Sequence, residues 1–113
     1  MHLYPVDGAA GRVAADATAW SYRSARWAQV IVGVDPDPAN ADAIREWTVD
    51  YWEALHPYSA GGAYSNFLMD EGQDRVRASY GSNYERLARI KAEYDPGNVF
   101  HVNQNIEPAR RRS

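Results

Sequence analysis

A phenol and a side-chain amide lie two residues apart in the stretch AYSNFLM, at Tyr64 and Asn66. In a β-strand, residues two apart point to the same face of the sheet, so these groups would address one surface together. In one interpretation they form an ordinary sheet surface, with Tyr64 packed across a neighbouring strand. In the other they are a polar pair that binds a flat heteroaromatic ligand. The spacing by itself leaves both interpretations open.

Three consecutive amides, Asn103, Gln104 and Asn105, form a second polar group. A chain end usually frays into charged and small residues, yet this group is framed by apolar residues. The apolar neighbours are Val99, Phe100, Val102 and Ile106. An amide is neutral and both donates and accepts hydrogen bonds. It therefore suits a ring that carries carbonyls and an N–H, as the edge of an isoalloxazine does.

Other kinds of chemistry lack a supporting pattern. His2, His56 and His101 do not have the short spacings of a metal site, so we expect no bound metal. Asp70 and Glu71 are adjacent, whereas paired acid and base groups face each other across a cleft, and we interpret them as solvated loop charges. The sequence has no GxSxG, P-loop or dinucleotide-binding glycine pattern. It also has no cysteine for thiol chemistry.

Composition limits the class of protein. The 113 residues, 45% of them hydrophobic, are enough for one domain with one core. A net charge of -3 argues against a nucleic-acid partner. Because no apolar run could span a membrane and no signal peptide is visible, we expect a cytoplasmic protein without membrane contact. Four Trp and eight Tyr suggest a large flat surface to be covered, or a planar ligand.

The first half of the chain predicts one strand and one helix. Residues 27–34, WAQVIVGV, are rich in β-branched side chains and predict a strand, which the following DPDP ends. Asp37 before Pro38 is typical of a helix N-cap, and apolar residues at helical spacing predict a helix over 38–56. Residues 4–18 are rich in Gly, Ala and Asp and predict a turn or an irregular hairpin.

The second half predicts another strand and another helix. Residues 63–69 alternate between two faces and predict a strand, with a loop at DEGQ after it. Ser82 and Glu85 form a capping box for a helix, which should end before Asp95 because the next residue is proline. One face of this helix would be lined by Tyr84, Leu87, Ala88, Lys91 and Tyr94. The predicted fold class is α+β, an antiparallel sheet with helices packed on one face.

The stretch RLARIKAEYDPGNVFHVNQNI combines a helix that ends in a lysine and YDP, an N-x-F, and a polar stretch with a Gln and an Ile. It strongly resembles the C-terminal signature of the berberine-bridge-enzyme-like, FAD-linked oxidases. The matching residues are Lys91, Tyr94, Asp95, Pro96, Asn98, Phe100, Gln104 and Ile106. AYSNF is similar to the Tyr-x-Asn strand of that family, and YGSNYERL is similar to its next helix entry. GRVAADATAWSYRSARW resembles the preceding strands of its substrate domain.

The resemblance implies a flavoprotein oxidase whose FAD is held by a separate N-terminal domain, often covalently through a His and a Cys. We therefore expect residues 1–113 to form a single domain, the C-terminal part of such an oxidase, within a larger substrate-binding domain. The FAD-binding domain would lie outside this chain, so the chain alone should not bind FAD. The expected partners are that FAD-binding domain and a small-molecule substrate, and a homo-oligomer is a further possibility.

The resemblance also assigns site residues. Five are expected at the flavin: Tyr64, Asn66, Asn103, Gln104 and Asn105. Many members carry a Tyr directly after the Asn of Tyr-x-Asn, and it deprotonates a substrate hydroxyl. Phe67 occupies that position here and cannot accept a proton. Tyr64 is the nearest remaining phenol and becomes the candidate catalytic residue, although a free phenol, with a pKa of about 10, needs help to act as a base.

Two functions follow from these expectations. In the first, the chain is part of an FAD-dependent oxidoreductase that oxidises a small organic substrate by hydride transfer to the flavin, with oxygen as the acceptor. In the second, it is a non-catalytic binding or assembly domain derived from that family. An unrelated small α+β binding protein would require the C-terminal match to be a coincidence. The sequence does not identify the substrate.

Overall fold

The computed structural model describes residues 1–102 and 104–110. The regular elements, in chain order, are β1 (His2–Pro5), β2 (Trp27–Val30), α1 (Ala41–Leu55), α2 (Gln73–Tyr80) and α3 (Tyr84–Tyr94). Short 3₁₀ turns lie at Ala10–Arg12, Pro38–Asn40, His56–Tyr58, Ser65–Phe67 and Gly81–Asn83. A two-stranded antiparallel sheet followed by helices confirms the predicted α+β class.

The sheet pairs β1 with β2, with His2 opposite Val30 and Pro5 opposite Trp27. β1 lies just before and within the start of the segment predicted as a turn or irregular hairpin. β2 begins where predicted but ends at Val30, four residues early. The residues after β2 lie against α1. The approach is close at Gly33, where an added Cβ would come within 2.4 Å of the Ile44 Cγ2 atom. Glycine at this position allows the backbone to approach the helix closely.

The predicted first helix is confirmed as a short 3₁₀ turn followed by α1. The carboxylate of Asp37 accepts a hydrogen bond from the Ala39 N–H at 2.9 Å, as an N-cap residue does. Pro38 occupies the first position of the 3₁₀ turn. α1 ends at Leu55, and a 3₁₀ turn that contains Pro57 follows it, in accord with the exclusion of proline from helix interiors.

The strand predicted over residues 63–69 is wrong. This segment forms a 3₁₀ turn in which the Phe67 N–H donates to the Tyr64 carbonyl at 2.9 Å and the Leu68 N–H donates to the Ser65 carbonyl at 3.3 Å. These local bonds take up the backbone groups that would have joined a sheet. We call residues 64–68 the tyrosine turn.

α2 begins at Gln73, inside the segment predicted as a loop, directly after Gly72 with its positive φ of 86°. The capping box predicted at Ser82 is also wrong, because a 3₁₀ turn precedes α3 and its N-cap, Asn83, makes no side-chain capping bond. The predicted end of α3 before Asp95 is confirmed.

The core is small and lies between α2, α3 and the C-terminal segment, residues 104–109. Val76, Tyr84 and Ala88 are buried, and Ile106 and Ala109 pack against them. The predicted face of α3 is buried at Tyr84 and Ala88. Leu87 and Lys91 are only partly buried, and Tyr94 is exposed. The expected face therefore extends beyond the core that the described residues form.

Much of the apolar surface remains uncovered. The accessible surface of the chain is 8633 Å², whereas a folded monomer of this mass has about 6,200 Å². The radius of gyration is 16.5 Å, against about 13 Å expected for this length. Exposed large side chains include Trp27, Val32, Val34, Trp47, Tyr58, Tyr94, Val99 and Phe100. A groove of about 610 Å³ with mainly apolar walls lies between residues 31–38 and α1.

Candidate functional site

The tyrosine turn brings the predicted polar pair together. The Asn66 Nδ2 atom donates to the Tyr64 hydroxyl oxygen at 2.8 Å. The edge of one ring faces the other in the pair of Tyr64 and Phe67, whose centroids are 5.3 Å apart. Half of Tyr64 and 61% of Phe67 are exposed. The two side chains are therefore bonded to each other, in a turn rather than on the strand expected to bring them together.

Among residues 1–102 and 104–110, neither the Tyr64 O–H as donor nor the Asn66 side-chain oxygen as acceptor has a partner, so both could bond a ligand. Because the Tyr64 oxygen accepts from Asn66, the phenol O–H remains able to donate elsewhere. The Asn66 side-chain oxygen remains an acceptor beside it. Phe67 adds an exposed apolar ring and no proton acceptor. The turn can therefore hydrogen-bond the edge of a flat polar ligand while an aromatic surface contacts its face.

Residues that come before and after the tyrosine turn in the sequence contact the backbone at its start. A Cβ on Gly62 would come within 2.1 Å of the Tyr22 ring, so that ring lies directly on the backbone. The Arg75 Nη1 atom donates to the Gly61 carbonyl at 3.1 Å. Arg75 also contacts the Glu71 carboxylate at 3.2 Å. These contacts fix the backbone immediately before Tyr64.

The three consecutive amides have different situations. Asn103 lies outside the described residues. The Gln104 Nε2 atom donates to the Leu68 carbonyl, at the end of the tyrosine turn. The Asn105 carbonyl accepts a hydrogen bond from the Gln73 Nε2 atom at 3.2 Å. Gln104 is thus close to the predicted pair, but its amide donor serves the backbone.

The signature residues around YDPGNVF form a structural turn, which we call the lysine clamp. The Lys91 ammonium donates to the Asp95 carboxylate at 2.7 Å and also to the Phe100 carbonyl. The same carboxylate accepts from the Val99 N–H at 2.8 Å and the Phe100 N–H at 3.1 Å. Asn98 takes a positive φ of 50° in this turn. The clamp sets the direction in which the chain leaves α3.

The charges and hydrogen bonds of the lysine clamp lower the pKa of one carboxyl group, that of Asp95. The hydrogen bond from the Lys91 ammonium, with the two backbone N–H groups, lowers the pKa of the Asp95 carboxyl below its ordinary 3.8 despite partial desolvation. Only 12% of this side chain and 17% of Lys91 are exposed. Outside the clamp, backbone N–H donation from Asp37 lowers the pKa of Asp35 in the same direction.

We expect the clamp to make the chain acid-labile. Because the folded pKa of Asp95 lies below its unfolded value, its contribution to stability is complete above about pH 4 and is lost as the pH falls through the folded pKa. Unfolding free energy measured between about pH 5 and pH 2 should therefore depend less steeply on pH in Asp95→Asn than in the native chain. The same slope in both proteins would contradict this.

Sequence reasoning missed Gln73 and Asn83. Gln73 is the first residue of α2 and bonds to the C-terminal segment. Asn83 is buried, and its Nδ2 atom lies within hydrogen-bond distance of the Ala15, Thr18 and Ala19 carbonyls. The available signals were a polar residue directly after Gly72 and the Asn of YGSN, which formed part of the resemblance.

Residues 1–102 and 104–110 contain neither a metal-binding cluster nor a membrane-spanning helix. Within this part of the chain, no group of three or more His, Asp or Glu side chains is placed to hold a metal ion. None of the helices described there is long and apolar enough to cross a membrane.

Comparison with known proteins gives a family for this geometry. Residues 63–107, which contain the tyrosine turn, the lysine clamp and most of the C-terminal segment, match the family described as Berberine and berberine like. The uncharacterized FAD-linked oxidoreductase YgaK of Bacillus subtilis is 40% identical over 104 residues, covering 92% of this chain and 23% of the relative.

More distant relatives agree. An FAD-linked oxidoreductase of Dictyostelium discoideum is 30% identical over 93 residues, 82% of this chain and 20% of its own length. Berberine bridge enzyme-like 17 of Arabidopsis thaliana is 29% identical over 126 residues, 96% of this chain and 24% of its own length. The chain thus spans between a fifth and a quarter of these curated relatives. Residues 63–107 are thus a berberine-like region, and most of the chain is similar to one part of FAD-linked oxidoreductases of the berberine-bridge-enzyme-like kind.

Proposed function

We propose that this chain forms part of the substrate-pocket wall of an FAD-dependent oxidoreductase, one that oxidises a small organic substrate by hydride transfer to the flavin, with oxygen as the acceptor. The hydrogen-bonded pair of Tyr64 and Asn66 carries the proposal, because it is exposed and lies within the family match. Bound FAD would accept the hydride. The residues of this chain would orient the substrate and one edge of the ring.

The described side chains fit one edge of a flavin. Tyr64 offers an O–H and Asn66 an amide oxygen, which complement ring carbonyls and a ring N–H. The free side-chain oxygen of Gln104 would add an acceptor nearby. A separate FAD-binding domain would hold the pyrophosphate and adenine, as proposed from the resemblance. The assignment of Asn103 and of the Asn105 side chain to the flavin remains a prediction.

Tyr64 is better placed to act as a hydrogen-bond donor than as a proton acceptor. Its oxygen already accepts the Asn66 amide hydrogen, and no ammonium or guanidinium group is found within hydrogen-bond distance of it in the described chain. Phe67 cannot supply the missing base. We therefore propose that Tyr64 positions substrate or cofactor, and that any group that deprotonates the substrate lies in another region of the protein.

The uncovered apolar surface supports the proposal that the chain docks against another protein surface. An excess of exposed area over a compact monomer and an apolar groove beside α1 fit a body that docks against a larger protein. We propose the FAD-binding domain of the same enzyme as that partner. The same surface also supports the second function, a non-catalytic binding or assembly domain, in which another copy of the chain would cover it.

Asn66→Ala tests the proposed function in the flavoprotein that carries this chain. Loss of the hydrogen bond that orients Tyr64 should slow flavin reduction up to about tenfold, since one such bond contributes roughly 0.5–1.5 kcal/mol. Because both residues are exposed, the melting temperature should change little. Anaerobic stopped-flow measurement of flavin reduction, beside a thermal melt, distinguishes the two effects.

Gln29→Ala is a matched control, because it removes an exposed amide on β2, outside the tyrosine turn. It should leave both the reduction rate and the melting temperature unchanged. An Asn66→Ala protein that reduces flavin at the native rate would show that the pair takes no part in the reaction. A protein that binds no flavin would instead favour the assembly function.

A further inference from the structure

The tyrosine turn has few contacts that set its position. Its two backbone hydrogen bonds are internal, and the bond between Tyr64 and Asn66 is also internal. Leu68 is buried, with 7% exposure, and anchors the end of the turn by packing. Among the described residues, one hydrogen bond joins the turn to a distant part of the chain, and Gln104 donates it to the Leu68 carbonyl.

A second amide fixes the backbone that carries Gln104. The Gln73 side chain reaches from the first position of α2 to the Asn105 carbonyl, 3.2 Å away. Further along, the Glu107 N–H donates to the Tyr84 hydroxyl at 3.3 Å and the Ala109 N–H donates to the Ala88 carbonyl at 2.9 Å. The C-terminal segment is thus held on the helices.

We propose that Gln73 and Gln104 form an amide clasp that positions the Tyr64–Asn66 pair, and that both are positioning residues. The inference rests on the proposed function and assigns Gln104 a different role from direct contact with the flavin through its N–H₂ group. Gln104 ties the turn to the C-terminal segment, and Gln73 ties that segment to α2. Gln73 donates to the carbonyl of Asn105, the residue next to Gln104, and Gln104 donates to the turn, so the two bonds act in series.

The bonding state of Gln73 supports a positioning role. Its side-chain oxygen is buried and has no hydrogen-bond donor among residues 1–102 and 104–110. A buried acceptor without a partner is unfavourable, so the contact does not maximise stability. The benefit it supplies is a fixed separation between α2 and the segment that carries Gln104.

The test uses glutamate variants, because Glu has the shape of Gln but cannot donate when ionised. Gln104→Glu should release the Leu68 carbonyl. Gln73→Glu should release the Asn105 carbonyl while keeping a side chain that favours the start of a helix. Asp74→Asn, in the same first turn of α2, changes charge without touching the clasp and is the control.

The first measurement is amide hydrogen exchange in the 113-residue chain, which does not depend on any flavin. Both glutamate variants should raise exchange of the Phe67 and Leu68 N–H groups about tenfold, as expected for loss of a hydrogen bond that restrains the turn. Exchange in the middle of α3 should stay within about twofold of native, and Asp74→Asn should match the native chain throughout. Unchanged exchange at Phe67 and Leu68 in both variants would overturn the clasp.

The second measurement is flavin reduction in the flavoprotein. Each glutamate variant should slow flavin reduction about five- to tenfold. The double variant should be slower than either single variant, but its total slowing should be smaller than the product of the two single factors, since the bonds act in series. Native reduction rates despite faster exchange at the turn would overturn the positioning role and leave the proposed function intact. If the flavoprotein bound no flavin, the proposed function would fail, and the exchange data would still decide the clasp.

Discussion

Replacing Tyr84 by alanine should lower the free energy of unfolding by roughly 3–5 kcal/mol, the range found when a large buried aromatic side chain is truncated. Tyr84 has the largest side chain of the small core and is 3% exposed. It packs with Val76 and Ala88, and the Arg77 guanidinium lies 4.3 Å from the centre of its ring. Because few other buried side chains contribute, the loss is a large part of a marginal stability.

Tyr84→Phe separates the ring from the hydroxyl. This variant keeps the packing and removes only the acceptor of the Glu107 N–H, so it should cost about 0.5–1.5 kcal/mol. Urea denaturation followed by tryptophan fluorescence and by far-ultraviolet circular dichroism measures both variants. Equal losses for Tyr84→Phe and Tyr84→Ala would mean that the bond to the C-terminal segment, rather than the packed ring, stabilises this region.

Asn83→Ala should destabilise the chain by roughly 1–3 kcal/mol, because it removes the two N–H donors of a buried amide, at roughly 0.5–1.5 kcal/mol for each hydrogen bond lost. The Asn83 Nδ2 atom lies 2.7, 3.0 and 3.3 Å from the carbonyl oxygens of Ala15, Thr18 and Ala19. These three residues belong to the long connection between the two strands, and Asn83 joins that connection to the helices. Its loss should therefore loosen residues 15–19 as well as lower overall stability.

Asn83→Asp sharpens the test. The side chain keeps its shape, but an ionised carboxylate cannot donate and would face three carbonyl oxygens, so this variant should be less stable than Asn83→Ala. Denaturant melts measure the order of the three proteins, and limited proteolysis reports on the 15–19 connection. If Asn83→Asp were as stable as the native chain, the donor role of this amide would be refuted.

Helix boundaries set by local physical causes, such as capping and proline, were predictable from the sequence. Asp37 and Pro38 marked the start of the first helical segment, and Asp95 before proline marked the end of α3. The alternation at residues 63–69 was misleading because a turn with local backbone bonds accommodates the same residues. α2 was missed because charged residues dominate its sequence and only Val76 and Ser79 are buried there.

Some contacts of the candidate site were predictable from the sequence, and others were not. Tyr64 and Asn66 come together at the entry to a 3₁₀ turn, where Tyr64 has extended backbone angles, whereas their spacing predicted a shared strand face. Gln104 was placed near them through the family resemblance. Its acceptor, the Leu68 carbonyl, lies 36 residues away, and spacing in one sequence carries no information on such a contact. Gln73 was missed for the same reason.

The lysine clamp has a consequence for chemical labelling. Lys91 is the only lysine among the 113 residues, so every amine-directed side-chain reagent converges on one atom. That atom is engaged by the Asp95 carboxylate and the Phe100 carbonyl while the turn is closed. Reaction with an activated ester or acylating agent must wait for the turn to open. The rate at which an acyl group appears on Lys91, read from the peptide mass spectrum to separate it from acylation of the α-amino group, therefore reports the opening of this turn with no introduced probe.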